Sequence, residues 1–182
     1  MSLSDDILSI YQARGGEAYF GEQVSMTEHG LQAAHFAAAE GAPQPLIVAA
    51  LLHDIGHLLE AVPDAIEDWT VDAHHEELGA RWLARRFDAE IAEPVRLHVP
   101  AKRYLCATDA HYLAQLSAAS VHTLKLQGGP MSPRELPQFE AQRFWREAVR
   151  VRRWDDQGKV AGLKTRSLGE YAALIEEVAR RR

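Results

Sequence analysis

The stretch of the sequence best suited to chemistry is the apolar run PLIVAALLHDIGHLLE, residues 45–60, which also carries His53, Asp54 and His57. A buried polar group without a partner costs about 1 to 3 kcal/mol, so a buried helix needs something to bind these three side chains. On one continuous helix opened by Pro45, His53 and His57 would share a face, and Asp54 would point about 100° away from His53. A hydrogen-bonded pair of core histidines is the simpler explanation, but His-Asp-x-x-His in an apolar run favours a metal site.

The chain contains nine histidines, and several of them could join such a site. Imidazole and carboxylate ligands without a thiolate suit iron, manganese or zinc. Five or six ligands of this kind exceed the usual protein share of one ion, so two metal ions are expected. Besides His53 and Asp54, the candidate ligands are His29, His35, His57, His74, His75, His98, His111 and His122.

The elements that must position these side chains are all predicted to be helices. Apolar residues recur at helical spacing, and no alternating strand pattern, repeat or low-complexity segment is present. The fold class is therefore all-α. Pro94 indicates either a first-turn position or a kink, and the sequence leaves both open. Capping residues and helix breakers place the helices at about 4–14, 25–41, 45–62, 72–87, 88–98, 109–127, 132–137, 140–154 and 167–178.

Length and composition bound the function. A chain of 182 residues with 47% hydrophobic content has the size of one domain, which we place at 1–182. The net charge is -6 and no basic run is present, so nucleic acid is not an expected partner. Cys106 is the single cysteine, no apolar run is long enough for a bilayer, and the N-terminus lacks a signal-type core. We expect a cytoplasmic monomer without membrane contact.

The candidate residues, in their order along the chain, resemble the HD-domain superfamily, which is named after its paired His and Asp. The likeness is greatest to the mixed-valent di-iron oxygenases of phosphonate degradation, the PhnZ and TmpB type, and it extends more distantly to myo-inositol oxygenase. It covers nearly the whole chain. The matching segments are YFGE at 19–22, HDIGH at 53–57, HEELGA at 75–80, HVPAKRYL at 98–105, SAASVHTLKLQGGPM at 117–131 and RRWDDQGK at 152–159.

The resemblance implies a ligand set for two iron ions in a mixed-valent Fe(II)/Fe(III) state, with Asp54 as the bridge. The family pattern selects His75 over His74 and Asp155 over Asp156, whereas spacing alone leaves both pairs open. The implied metal ligands are His29, His53, Asp54, His75, His98 and Asp155.

The resemblance also implies a substrate shell. A phosphonate carries nearly two negative charges, and Lys102 and Arg152 are suitable cations, with Ser120 as a hydroxyl donor. Tyr19 and Glu22 match a pair that covers the open iron and later recognises the amino end of the substrate. His57 is placed in the same catalytic shell and not on a metal.

The implied activity is cleavage of the carbon-phosphorus bond of a 1-hydroxyalkylphosphonate by O2, giving phosphate and a carboxylic acid. The product is glycine betaine from the trimethylated amine, which is slightly favoured, or glycine from the primary amine. An aromatic cage for a quaternary ammonium has four candidates, although core packing is the expected role of each: Tyr19, Phe20, Tyr104 and Trp154. The alternatives are a metal-dependent phosphohydrolase acting on a nucleotide, for which four ligands suffice, and a non-catalytic HD-type binding module.

Overall fold

The structure is a computed structural model that describes residues 2–59, 72 and 74–179. Within these ranges the regular secondary structure is helical, and the only strand-like features are isolated bridges at Ala18–Ser25 and Phe87–Ala179. The prediction of an all-α fold is therefore confirmed. The helices are α1 (Leu3–Arg14), α2 (Met26–Ala39), α3 (Gln44–Leu52), α4 (Ile55–Leu59), α5 (His75–Ala84), α6 (Ala89–Thr108), α7 (Ala110–Gln115), α8 (Ala118–Leu126), α9 (Glu135–Glu140), α10 (Trp145–Gln157) and α11 (Ala172–Val178), the last preceded by a 3₁₀ turn at Leu168–Tyr171.

The start of α2 follows the capping box read from the sequence. The backbone N–H of Glu28 donates to Ser25 Oγ at 3.2 Å, and the Ser25 N–H donates to the Glu28 carboxylate at 2.7 Å. Gly41 adopts φ 66° just beyond the helix, where a residue without a Cβ is favoured. These local signals fix α2 and hence the place of His29 in its first turn.

The central helix is broken where a single helix was predicted. Pro45 lies in the first turn of α3 as expected, but α3 ends at Leu52 and α4 begins at Ile55. His53 and Asp54 lie in the turn between them, where the His57 N–H donates to the Asp54 carbonyl at 3.0 Å. The prediction that His53 and Asp54 lie on a continuous helix is wrong, because this tight turn re-aims both side chains. The predicted end of the helix near residue 62 lies outside the described residues.

Several other helix boundaries differ from the sequence prediction. Asp72 is not the N-cap of α5: His74 occupies that position with φ 50°, and its N–H donates to Asp72 Oδ1 at 3.2 Å. The predicted helix 109–127 is two helices, because Ser117 caps a new one by accepting from the Ser120 N–H. Helix α6 continues past residue 98 with Pro94 in its interior, and α10 continues past residue 154 to include Asp155.

The core forms where the long helices cross. Helix α6 packs against α5, α10 and α3, while α2 packs against α3 and α10. Leu51, Leu52 and Ile55 are fully buried at this crossing, as is Trp154 of α10. Helices α4 and α5 approach so closely that a Cβ on Gly56 would lie 2.0 Å from the His75 carbonyl oxygen. This close approach holds α5 against the His53–Asp54 turn.

Among the described residues, no helix combines the length and the apolar composition needed to cross a bilayer.

Candidate metal centre

Five separate elements deliver buried histidines and carboxylates to one point in the core. Helix α2 supplies one histidine, the α3–α4 turn supplies a histidine and an aspartate, α5 and α6 supply one histidine each, and α10 supplies a second aspartate. All of the expected ligands are buried, and all belong to two clusters whose ligand atoms lie within 4.8 Å of one another in each cluster. The first cluster is His29, His53 and Asp155, and the second is Asp54, His75 and His98.

The first cluster is built on the Nε2 atoms of His29 and His53, which lie 3.1 Å apart. Oδ1 of Asp155 lies 3.4 Å from His29 Nε2 and 3.9 Å from His53 Nε2. Oδ2 of Asp54 completes the group at 3.6 Å from His29 Nε2 and 3.5 Å from His53 Nε2. An ion with bonds of about 2.1 Å holds neighbouring ligand atoms roughly 3.0 to 3.5 Å apart, so the spacing suits one ion.

The second cluster uses the other oxygen of Asp54. Its Oδ1 lies 3.2 Å from His75 Nε2 and 3.5 Å from His98 Nε2, and the two Nε2 atoms are 3.2 Å apart. Asp54 therefore directs one oxygen at each cluster. Such a carboxylate can bridge two metal ions, which is the role that the sequence resemblance implied for it.

The hydrogen bonds of three histidines leave Nε2 as the ring nitrogen available to a metal ion. The Nδ1 atoms of His29, His53 and His98 lie 2.9, 2.8 and 2.6 Å from the backbone carbonyls of Gly158, Ala50 and Val95. A carbonyl oxygen can only accept, so each Nδ1–H donates to its carbonyl, and in the neutral imidazole Nε2 then carries a lone pair. In that tautomer the lone pairs of His29 and His53 face each other at 3.1 Å, and a shared cation would remove the repulsion between them.

The pKa shifts of His53 and Asp54 favour the protonation states in which these side chains can bind a metal ion. Burial lowers the pKa of His53 to about 4, which keeps its imidazole neutral. Burial alone would raise the pKa of Asp54, but His53, His75 and His98 hold it well below its usual value. Oδ1 of Asp155 is buried and has no hydrogen-bond partner among the described residues, as expected of an atom that a metal ion would bind.

The two residue pairs that sequence spacing left open have members with different surroundings in the structure. His74 has a 68% exposed side chain next to Asp72 and lies outside both clusters, whereas His75 is buried within one. Asp156 accepts hydrogen bonds from Tyr112 and Arg152 and is not part of either cluster, in contrast to Asp155. His35, His111 and His122 are not members of the clusters either.

A small cavity of about 40 Å³ adjoins the second cluster and is lined by both aromatic and cationic residues. On one side, the Tyr19 ring stacks on His29 with centroids 3.7 Å apart, and His57 stacks on His75 at 3.8 Å. The Phe20 ring packs edge-on against His57 with centroids 4.7 Å apart, and Phe20 also lines the cavity. The aromatic rings thus cover the histidine ligands.

The other side of the cavity is polar and cationic, with Lys102, Ser120, Thr123, Gln127, Arg152 and Lys159 in its wall. Lys102 is 2% exposed and donates to Thr123 Oγ1 at 2.9 Å. Arg152 donates to Asp155 Oδ2 at 2.6 Å and also to Asp156, so it orients a candidate metal ligand. One arginine thus connects the candidate metal ligands with the cationic side of the cavity.

Some expected site residues lie apart from the cavity. Glu22 is not among its lining residues, and its carboxylate lies 3.8 Å from Lys159 Nζ. Of the aromatic cage candidates, Trp154 is fully buried in the core and Tyr104 packs against Phe139 and Trp145, whereas Tyr19 and Phe20 line the cavity.

Sequence reasoning missed three residues that line the cavity, namely Lys159, Thr123 and Gln127. Lys159 lies four residues after Asp155 within the segment RRWDDQGK, and Arg152 lies three residues before Asp155, so both cations are close in sequence to this expected ligand. Thr123 lies three residues after Ser120 on α8, which places both hydroxyls on one helix face. Neither signal depends on the structure.

Comparison with known proteins identifies the family. The chain matches the HD domain over residues 23–137. It is 44% identical over 169 residues to a [1-hydroxy-2-(trimethylamino)ethyl]phosphonate dioxygenase (glycine-betaine-forming) of Leisingera caerulea, a match that covers 93% of this chain and 86% of that protein. It is 46% identical over 166 residues to a hydroxymethylphosphonate dioxygenase of Gimesia maris, covering 88% of this chain and 81% of that protein. An uncharacterised protein of Acanthamoeba polyphaga mimivirus is 36% identical over 173 residues.

The HD-domain match contains five of the six candidate ligands but ends before Asp155. The fold brings Asp155 to the first cluster on α10, which packs against α2 and α6. The structure therefore places a candidate ligand from outside the matched domain in the first cluster.

Replacement of His98 by alanine tests the two-ion arrangement. Wild-type protein is expected to bind two metal ions per chain, and His98→Ala one, because the variant leaves His29, His53 and Asp155 in place. Metal content after equilibrium dialysis against Fe(II) without oxygen, measured by plasma mass spectrometry, gives the count. His111→Ala, on an exposed histidine, is the matched control and should retain two ions. Equal metal content in the two variants would contradict the arrangement.

Proposed function

From the premise that this chain belongs to the HD-domain family, we propose that it is a dioxygenase that cleaves the carbon-phosphorus bond of a 1-hydroxyalkylphosphonate. The observation that carries the proposal is the pair of histidine clusters joined by Asp54 next to a cationic cavity. The relatives that are 44 and 46% identical to it over the aligned residues are named as dioxygenases of such phosphonates. The reaction takes up O2 and gives a carboxylate, inorganic phosphate and a proton.

The proposed cofactor is a pair of iron ions in the mixed-valent Fe(II)/Fe(III) state. The nitrogen and oxygen donor set without thiolate fits such ions, with His29, His53 and Asp155 holding one, His75 and His98 the other, and Asp54 both. When bound, this pair would supply the oxidation of the substrate carbon by O2, which protein side chains alone do not provide.

The role proposed for the cationic wall is to bind and orient the phosphonate. Lys102, Arg152 and Ser120 line the cavity beside the second cluster. Charge-assisted hydrogen bonds to phosphonate oxygens are stronger than neutral ones, and buried cations strengthen them further. A substrate held there by its phosphonate would present the neighbouring C1 and its hydroxyl towards His75 and His98.

The aromatic side of the cavity is proposed to exclude water and shape the other end of the substrate. Burial and the nearby Asp155 and Asp54 carboxylates raise the pKa of Tyr19 well above its usual value, so its phenol keeps its proton and can donate a hydrogen bond. Burial and the neighbouring His75 hold the pKa of His57 well below the usual value, so this imidazole is neutral. Tyr19, Glu22 and His57 are thus the proposed catalytic shell, with Glu22 on its rim.

The specific substrate we propose is [1-hydroxy-2-(trimethylamino)ethyl]phosphonate, with glycine betaine as the product. The rings of Tyr19 and Phe20 in the cavity wall offer faces to a quaternary ammonium, and Glu22 offers a nearby carboxylate. The primary amine 2-amino-1-hydroxyethylphosphonate, which would give glycine, is the alternative substrate of the same reaction.

Oxygen uptake together with phosphate release tests the proposed reaction. Iron-loaded protein incubated in air with the trimethylated substrate should consume one O2 for each phosphate released, and the primary amine should react more slowly. A nucleotide in place of the phosphonate is the comparison for the phosphohydrolase alternative. Phosphate release from the nucleotide, with no O2 consumption in the presence of either phosphonate, would contradict the proposal.

The pH dependence of anion binding tests the role of Lys102. Burial, with a smaller effect of Arg152, lowers the pKa of Lys102 to about 7, while Asp155, Asp156 and Cys106 act in the opposite direction. Below pH 7 the ammonium is charged, whereas above it the free protein must take up a proton to bind an anion. The affinity for sulfate, whose charge is constant, should therefore fall as pH rises above 7, by up to about tenfold per unit.

Calorimetric titration of the metal-loaded protein with sulfate between pH 6 and 9, at constant ionic strength, measures this slope. Lys102→Met should bind more weakly at pH 6 and lose the slope. Lys125→Met, which removes an exposed lysine of α8, is the control and should keep both the affinity and the slope. An unchanged slope in Lys102→Met would show that another group titrates.

A further inference from the structure

The segment 158–160, directly after α10, connects the metal centre with the cationic wall of the cavity. The Gly158 carbonyl accepts from His29 Nδ1 at 2.9 Å and so fixes the orientation of a candidate ligand. A Cβ at Gly158 would lie 3.1 Å from the same Nδ1, so a side chain here would press on His29. The next residue, Lys159, lines the cavity. Small displacements of this segment would therefore change both sites.

The segment is fixed by a glutamine of α2. Gln32 is 1% exposed and lies three residues after His29, on the same helix face. Its Nε2 donates to the Val160 carbonyl at 2.8 Å, and its Oε1 accepts from the Val160 N–H at 2.9 Å. The Val160 side chain is 48% exposed, so apolar packing contributes little to holding the segment. Both backbone polar groups of Val160 are instead bound by one buried amide.

The ammonium of Lys159 lies where an anion in the cavity would meet it. Its Nζ donates to hydroxyls, at 3.3 Å to Ser120 and 3.4 Å to Ser117, which a ligand oxygen can replace. The nearest carboxylates are more distant, with Glu22 at 3.8 Å and Asp156 at 4.0 Å.

The other two cations of the wall are more firmly engaged. Arg152 donates through Nε, Nη1 and Nη2 to the carboxylates of Asp155 and Asp156. Lys102 donates to Thr123 Oγ1 at 2.9 Å. Lys159 thus makes only long contacts, of 3.3 to 4.0 Å, and a ligand oxygen can replace its hydroxyl partners at little cost.

We propose that Lys159 binds the tetrahedral anionic group of the substrate, and that Gln32 is the positioning residue that holds Lys159 in place through Val160. This inference rests on the proposed function for the identity of the anion. It adds a third cation to the anion-binding wall and assigns a role to a buried glutamine that touches neither the cavity nor the metal ligands' donor atoms.

Sulfate binding to the metal-loaded protein at pH 6.5, measured by calorimetry, tests the proposal. Lys159→Met should raise the sulfate Kd about tenfold or more, because a charge-assisted hydrogen bond is lost, and Lys159→Arg should restore most of the affinity. Lys164→Met removes the same charge from an exposed residue a few positions after that segment and should leave the Kd unchanged. Metal content is measured in each variant, and the Kd values are compared at equal loading.

A double-mutant cycle tests the role of Gln32. Gln32→Leu keeps the side-chain volume but removes both bonds to Val160, and it should raise the Kd about three- to tenfold. In the Lys159→Met background it should raise the Kd no further, since the positioned group is absent. If the leucine variant does not fold, Gln32→Glu takes its place. This variant keeps the acceptor and loses the donor, and it should also raise the sulfate Kd.

The outcomes separate the two levels of the proposal. If the wild type binds sulfate and Lys159→Met binds it as strongly as Lys164→Met does, the role of Lys159 is overturned and the proposed function still stands. Equal effects of Gln32→Leu in both backgrounds overturn its positioning role. A wild-type protein that binds no sulfate overturns the anion site on which the proposed function depends.

Discussion

The two carboxylate oxygens of Asp54 face opposite clusters of histidine Nε2 atoms, at distances of 3.2 to 3.6 Å. A carboxylate buried in this way is stable only if opposite charge surrounds it. Two metal ions would supply that charge: one would bind His29, His53 and Asp155, the other would bind His75 and His98, and both would share Asp54. The rest of the molecule is arranged to hold Asp54 at this midpoint and to keep the imidazole lone pairs directed at it.

Three structural features maintain that arrangement. The break between α3 and α4 aims Asp54 between the clusters, and the close approach at Gly56 keeps α5 with His75 against the turn. Backbone carbonyls bind the Nδ1–H groups of three histidines, which fixes their tautomers. Arg152 ties Asp155 of the first cluster to the cationic wall of the cavity. The candidate metal centre and the cationic wall thus share Arg152, and a change in either is expected to affect the other.

Much of this was accessible from the sequence because it depends on local rules and on residue type. The capping box at Ser25 fixes α2, and the order of histidines and aspartates along the chain is enough to identify the family. The break after Leu52 was not predictable from periodicity, because the apolar pattern continues unchanged through residues 55–59. The role of Gln32 was also hidden, since its partner Val160 is 128 residues away and uses only backbone atoms. A long-range bond from a side chain to backbone atoms leaves no recognisable pattern in the amino-acid sequence.

Electron paramagnetic resonance at low temperature tests the central claim most directly, namely that Asp54 joins two ions into one centre. Protein loaded with two iron ions per chain and reduced by one electron should show the half-integer-spin signal of a coupled mixed-valent pair. Only the signal of isolated ferric iron, or no signal at all from protein with full metal content, would contradict the bridged centre.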